Sequence, residues 1–371
     1  QNEFPCLFFA ADWHALTTHY EDPSVIESTV WDMFVDWLSV GIDPSKATLF
    51  IQSRVPQHAE LTMLLSFFTP LAWLERVPTY KDLVEKHAEQ GRDVLTYGFL
   101  GYPLMQAADI LIYQSTKVPV GEDQVSHIEL TREIARRFNH LFGREKGFEE
   151  KAEAAVKKMG PKKAKLYRTL RSRFQEQGSE DALDEARKLV SDVQNLSIGD
   201  KERLYGFLEG GGRMILAEPE ALLTETPKLL GLDGQKMSKS SGNTIMLREA
   251  PEEVTKKIRT MQTDPARVRR TDPGNPDVCP VWNLHQVYSS EDTKAWVQKG
   301  CRSAGIGCLE CKQPVIDTIN AELKPIRERA VQFEEDPSLV RNIIQDGCEK
   351  ASDLANDTMR DVREAMGLNY S

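Results

Sequence analysis

Two lysines three residues apart, with hydroxyls between and beside them, give this 371-residue chain its sharpest local signal. In Lys236-Met237-Ser238-Lys239-Ser240, the flanking Gly231, Gly234 and Gly242 predict a mobile loop. A lysine ammonium meets phosphate as a movable point charge, so such a loop can surround a polyphosphate and tighten on a leaving pyrophosphate. The same composition also describes an ordinary solvated basic loop. In Tyr102-Pro103-Leu104-Met105-Gln106-Ala107-Ala108-Asp109, Pro103 suits the first turn of a helix. Tyr102, Gln106 and Asp109 then share one face at i, i+4 and i+7. A carboxylate buried beside a ring and an amide is costly unless something donates to it. A helix-terminal aspartate or a structural salt bridge is the competing reading of Asp109.

Val118-Pro119-Val120-Gly121-Glu122-Asp123-Gln124 ends a strand, turns at Gly121 and opens a helix. That is the carboxyl edge of a sheet, where doubly wound folds bind ligands. Asp123 and Gln124 can hold an ammonium or a ribose hydroxyl, and Asp123 can equally cap the helix. His14, Gln52 and Ser53 follow strand-like runs and are candidates of the same kind, with a packing histidine as the alternative for His14. Cys279-x21-Cys301-x6-Cys308-x2-Cys311 reads as a metal site more readily than as a disulfide framework. One tight pair with wider partners suits a [4Fe–4S] cluster, with zinc as the alternative, since zinc ribbons favour two tight pairs.

The elements that position these residues follow from apolar spacing. Residues 6–11 predict a strand buried on both faces. Asp22-Pro23-Ser24 opens a helix carrying Ile26, Val30, Phe34, Trp37 and Leu38, stopped by Gly41, and residues 47–52 predict a second strand. Helices over 59–74 and 103–113, a strand over 117–120 and a helix from Glu122 to about Phe142 continue the alternation. The expected fold class is α/β, a doubly wound Rossmann-type parallel sheet. Residues 144–210 are polar and helix-prone, a helical insertion that Gly210-Gly211-Gly212 ends as a flexible join. The expected domains are therefore 1–250, a catalytic domain with the insertion, and 251–371, an all-α domain holding the four cysteines.

Hydrophobic residues make up 40% and charged residues 28%, which excludes collagen, disordered and disulfide-dense classes. No run of 18 apolar residues exists, so no membrane-spanning helix is expected. The net charge of −10 argues against a DNA coat or an anionic-membrane binder. Yet eight basic residues lie between Lys157 and Arg173 with no acid among them. They form either a surface for a nucleic-acid backbone or a solvated helix face. The start at Gln1 has no signal-peptide pattern.

Taken together, these motifs resemble the bacterial tryptophanyl-tRNA synthetases of class I. Lys236–Ser240 is that class's second signature. Asp12–Thr17, Gly41–Pro44, Ala47–Ser53, Tyr102–Tyr113, Val118–Phe138 and Gly234–Ser240 carry the likeness over nearly all of the chain outside 144–210. The resemblance implies ATP-dependent attachment of L-tryptophan to tRNA(Trp) through a tryptophanyl-adenylate. It also implies ATP with Mg2+ as substrate, a cytoplasmic homodimer, and neither membrane nor DNA as partner. Asp109 becomes the reader of the indole N–H, the donor its carboxylate needs. Tyr102, Gln106, Gln124, His14, Val118 and Val120 join it in the tryptophan pocket. Gly121, Asp123, Lys236, Met237, Ser238, Lys239 and Ser240 face ATP, with Lys236, Ser238 and Lys239 catalytic. Some bacterial members carry a [4Fe–4S] cluster at closely similar Cys spacing in the anticodon-binding domain. A tyrosyl-tRNA synthetase and a non-catalytic tRNA-binding paralogue are the alternatives. Ala107-Ala108-Asp109 and Gly121–Gln124 speak against the first, and the intact Lys236–Ser240 speaks against the second.

Two features depart from the family. Its first signature is absent here; by the resemblance it belongs before residues 6–11. A lysine that holds ATP phosphates in some relatives is replaced by Leu83, with Lys81 as its substitute. The second departure shifts charge stabilisation toward Lys236 and Lys239.

Overall fold

The structure, a computed structural model, describes all residues except Thr79, 81–95, Arg144, Lys146, 224–228, Lys236, 238–241 and Ser371. Strand β1 (Cys6–Ala10) leads into α1 (Asp12–His19) and α2 (Ser24–Val40), and β2 (Ala47–Ile51) pairs with β1. A 3-10 turn over Gln52–Arg54 follows, then α3 (Gln57–Ser66), α4 (Leu71–Glu75) and α5 (Tyr97–Leu111). The single helix expected over 59–74 is two helices. Pro70 takes an extended ψ of 134° at the start of α4, which the preceding helix cannot continue through. Pro103 lies inside α5 rather than at its first turn. The start is set instead by Thr96, whose hydroxyl accepts the Phe99 N–H at 3.2 Å.

Next come β3 (Lys117–Val120), a 3-10 turn over Glu122–Gln124, and α6 (Val125–Phe142). The insertion holds α7 (Phe148–Lys158), α8 (Pro161–Gln177), α9 (Glu180–Ser191) and α10 (Ile198–Leu208). Strand β4 (Glu220–Leu223) then runs parallel to β3, with Lys117 opposite Glu220 and Val120 opposite Leu223. Parallel pairing demands a long crossover, and α6 to α10 supply it. The chain ends in α11 (Pro251–Thr260), α12 (Pro280–Tyr288), α13 (Glu291–Arg302), α14 (Cys308–Glu335) and α15 (Pro337–Ala365). The fold class is α/β with added helices, as the spacing predicts. Among the described residues no helix is long and apolar enough to cross a membrane.

The chain divides into two units. One comprises residues 9–26, 50–224 and 346–371; the other comprises 1–8, 27–49 and 225–345. Within the first, the insertion has its own core. Ala152, Ala155, Ala164, Ala182 and Ala186 are buried around Tyr167, which is wholly buried and donates its hydroxyl to Leu204 O at 2.5 Å. Small residues let the helices approach closely, and Val156, Leu170, Leu183, Val190, Leu204 and Phe207 fill the space between them. The insertion leaves where it enters: Arg213 N donates to Gly143 O at 2.8 Å. The Gly210–Gly212 run is a tight stop rather than a loose join. Gly210 takes φ +77°, and a Cβ on Gly206 would fall 1.5 Å from Gly212 O. In the other unit, Val254, Ile258, Val281, Leu284, Val315 and Ile319 form the core between α11, α12 and α14.

Candidate active site

The first unit gathers its polar residues around Asp109, on the last turns of α5 and only 3% exposed. Three side chains donate to its carboxylate. His14 Nε2 from α1 reaches Oδ2 at 2.7 Å, His58 Nδ1 from α3 reaches Oδ1 at 2.6 Å, and Gln52 Nε2 lies 2.8 and 3.0 Å from the two oxygens. Burial pushes this carboxyl up. The hydrogen bonds and charges of His14 and His58 outweigh it and hold Asp109 below the ordinary aspartate range. It is therefore a carboxylate, which only accepts, so both histidines present an N–H to it.

That assignment has consequences on the far sides of both rings. His58 Nε2 accepts from Tyr113 Oη at 2.7 Å, and burial followed by the Asp109 charge raises the Tyr113 pKa, keeping that hydroxyl a donor. His14 Nδ1 and Gln52 Oε1 are buried with no hydrogen-bond partner in the structure. Buried polar atoms without partners are costly until a group from outside pairs with them.

Tyr102 closes this group, its ring edge-on to His14 at 4.4 Å between centroids. Burial, then the Asp109 charge, raises its pKa. One helical turn on, Gln106 Oε1 meets His127 Nδ1 at 2.5 Å, and its Nε2 lies 3.4 Å from Gln124 Oε1. Burial lowers the His127 pKa, so it is a neutral ring that hydrogen-bonds rather than a cation. The structure thus brings Tyr102, Gln106, Asp109, His14 and Gln124 into one connected set. Val118 and Val120 are half-buried on one side of β3. Asp123 does not cap: neither the 3-10 turn after Gly121 nor α6 has a side-chain cap, and Asp123 Oδ2 instead accepts from Gln124 Nε2 at 3.3 Å. His58 and Tyr113 are site residues that spacing does not reveal.

Lys236, Ser238, Lys239 and Ser240 lie outside the described residues, as do Lys81 and Leu83. Met237 is described and half-buried.

The four cysteines belong to the other unit. Cys279 precedes α12, Cys301 ends α13, and Cys308 and Cys311 open α14. Burial pushes the Cys311 thiol up to about 12, and the charges of Cys279, Cys301 and Cys308 add to it. Among the described residues no group of three or more His, Cys, Asp or Glu stands close enough to hold a metal ion. The surroundings are cationic: buried Arg267 lies 3.9 Å from Cys301 Sγ, and buried Lys312 donates to Arg259 O at 2.8 Å and Met261 O at 2.6 Å.

Comparison with known proteins places the chain. The family model of the class I tRNA synthetases for W and Y matches residues 1–164 and 186–324. A tryptophan–tRNA ligase of Ralstonia nicotianae is 66% identical, over all of this chain and 92% of that protein. The tryptophan–tRNA ligase of Thermotoga maritima is 42% identical, over 98% of this chain and 90% of that protein. Among solved structures, the tryptophanyl-tRNA synthetase of Campylobacter jejuni complexed with ADP and tryptophan is similar with a TM-score of 0.69 and 27% identity, covering 98% of this chain and 90% of that one. With a family match across most of its residues and a 66% identical relative along its whole length, the chain belongs to the class I tRNA synthetases of the tryptophan and tyrosine group.

Proposed function

We propose that this protein is a tryptophan–tRNA ligase that activates L-tryptophan with ATP and transfers it to tRNA(Trp). The observation that carries the reading is Asp109, a buried carboxylate held by His14, His58 and Gln52, with His14 Nδ1 and Gln52 Oε1 buried beside it without a partner. An indole N–H is the donor such a pocket lacks. A side chain without it leaves the buried acceptors unpaired, which is how a hydrogen-bonding pocket rejects an analogue by orders of magnitude. Tyr102 supplies an aromatic wall, and Gln106 and Gln124 meet the ammonium or the nucleotide ribose.

In the first step the tryptophan carboxylate oxygen attacks the α-phosphorus of ATP. A new P–O bond forms and pyrophosphate leaves with its electron pair. In the second, a ribose hydroxyl at the tRNA terminus attacks the acyl carbon, and AMP leaves. The protein's contribution is positioning and charge stabilisation. Gly121 and Asp123 bind the nucleotide, and Lys236, Met237, Ser238, Lys239 and Ser240 meet the phosphates. Mg2+ arrives with the nucleotide as part of the substrate. The expected result is tryptophan-dependent ATP–pyrophosphate exchange with tyrosine inert. Exchange driven by tyrosine, or by neither amino acid, refutes the reading. The protein acts as a homodimer in this proposal, which sedimentation at working concentration checks.

The sequence spacing of Cys279, Cys301, Cys308 and Cys311 suits a [4Fe–4S] cluster, and buried Arg267 lies beside Cys301, although the described side chains are not gathered as a metal site. A bound cluster would cross-link the segments around α12, α13 and α14. Anaerobically purified protein is expected to be brown, with about four iron and four sulfide per chain, both lost in Cys308→Ser. A colourless preparation holding one zinc per chain assigns the site to zinc instead.

A further inference from the structure

We infer that an open groove along α8 of the inserted helices binds the phosphate backbone of tRNA, a role that rests on the reading of the protein as a tRNA ligase. The groove encloses about 720 Å3 and is lined by Lys157, Lys165, Arg168, Thr169, Ser172 and Arg173 together with small residues; no acid is among its lining. The family model passes over residues 165–185, so most of this wall is not part of what the family shares.

The structure separates the eight basic residues of this stretch by what they do. Lys158 is held by Asp200 at 2.7 Å. Arg171 donates to Phe207 O at 2.7 Å and lies over the Phe207 ring at 3.8 Å, so it serves the insertion's own packing. Arg168 meets Glu153 at 2.7 Å at the surface, and exposed pairs of this kind exchange readily for a stronger anion. Lys157, Lys162, Lys163, Lys165 and Arg173 are exposed and make no ion pair among the described residues. Besides Glu153, Glu176 stands at the groove's edge, accepting the Ser172 hydroxyl at 2.8 Å. Lys165 and Arg173 stand eight residues apart on one helix, about 12 Å along its axis. That row of long, movable cations follows a chain of phosphates rather than one compact anion. A protein of net charge −10 gains nothing for its own stability by concentrating unpaired cations there. Neutralising a polyanion that the reaction already requires accounts for them.

The test substitutes Lys157, Lys165, Arg168 and Arg173 together by Gln in the full chain. Three measurements follow: tRNA(Trp) affinity across a salt series, aminoacylation, and tryptophan-dependent pyrophosphate exchange without tRNA. We expect tRNA binding weakened by about tenfold or more at low salt, and the slope of log affinity against log salt reduced by about 3. Exchange stays within twofold of the parent protein, because no tRNA takes part in it. The charge-preserving Lys165→Arg, Arg173→Lys variant retains the parent slope. Unchanged affinity and slope with exchange intact overturn the groove alone. Absence of exchange in the parent protein overturns the tRNA-ligase reading instead. Should the fourfold variant lose exchange through misfolding, Lys165→Gln and Arg173→Gln singly decide: each lowers the slope by about 1, or the inference fails.

Discussion

Asp109→Asn lowers tryptophan-dependent pyrophosphate exchange by about 100- to 1000-fold in kcat/KM, the result of losing about 3–4 kcal/mol of buried charge-assisted hydrogen bonding. Asparagine keeps the shape but brings its own N–H2 into a space where His14, His58 and Gln52 already donate. It also withdraws the charge that an indole N–H would meet. Tyr113→Phe serves as the graded companion. It leaves the carboxylate intact and removes only the hydroxyl donating to His58, so a loss of about two- to tenfold is expected. Acid titration of stability separates a charge role from a shape role. The folded pKa of Asp109 is depressed, so its contribution is complete above the unfolded aspartate pKa and is lost as pH falls through the lower folded value. Asp109→Asn should therefore flatten the fall in Tm below about pH 4. A folded Asp109→Asn protein with unimpaired exchange sinks the assignment.

Lys236→Ala and Lys239→Ala are each expected to lower the kcat of exchange by about 100- to 1000-fold while tryptophan affinity changes by less than about twofold. The reason is where charge develops. Pyrophosphate gains negative charge as the α-phosphorus bond breaks, whereas bound tryptophan carries none at that position. A cation that acts chiefly there stabilises the transition state and leaves ground-state binding of the amino acid alone. Stopped-flow adenylate formation and equilibrium tryptophan binding measured on the same variants check the split. Retention of parental kcat in both single variants removes the loop from the chemistry.

Local spacing made a large part of this protein legible. β1, β2 and β3 follow from apolar runs, and α2 follows from its helical repeat. The one-sided face of Tyr102, Gln106 and Asp109 survives the displaced helix start, because a helix keeps its phase wherever it begins. Strand β4 is a different case. Glu220-Ala221-Leu222-Leu223 has no alternation and suits a helix equally well, and only its pairing with β3 makes it a strand. The insertion's polarity reads as helix, but its core is spread thinly over four helices, with alanines among its leucines and valines, and becomes one cluster only when the helices meet around Tyr167.

By itself, then, the sequence determined the α/β class and singled out the paired lysines, the four-cysteine spacing and Asp109 as candidates. Each is written within a few tens of residues, where chain geometry maps spacing onto a face or a turn. What surrounds Asp109 was decided by tertiary structure. Its donors come from 95, 57 and 51 residues away, on α1, the turn after β2, and α3. No periodicity links such positions. Only packing chooses which histidine points an N–H at the carboxylate and which acceptors stay unpaired. The division of the basic stretch between internal partners and an open groove was settled in the same way, because an ion pair depends on distance in space rather than along the chain.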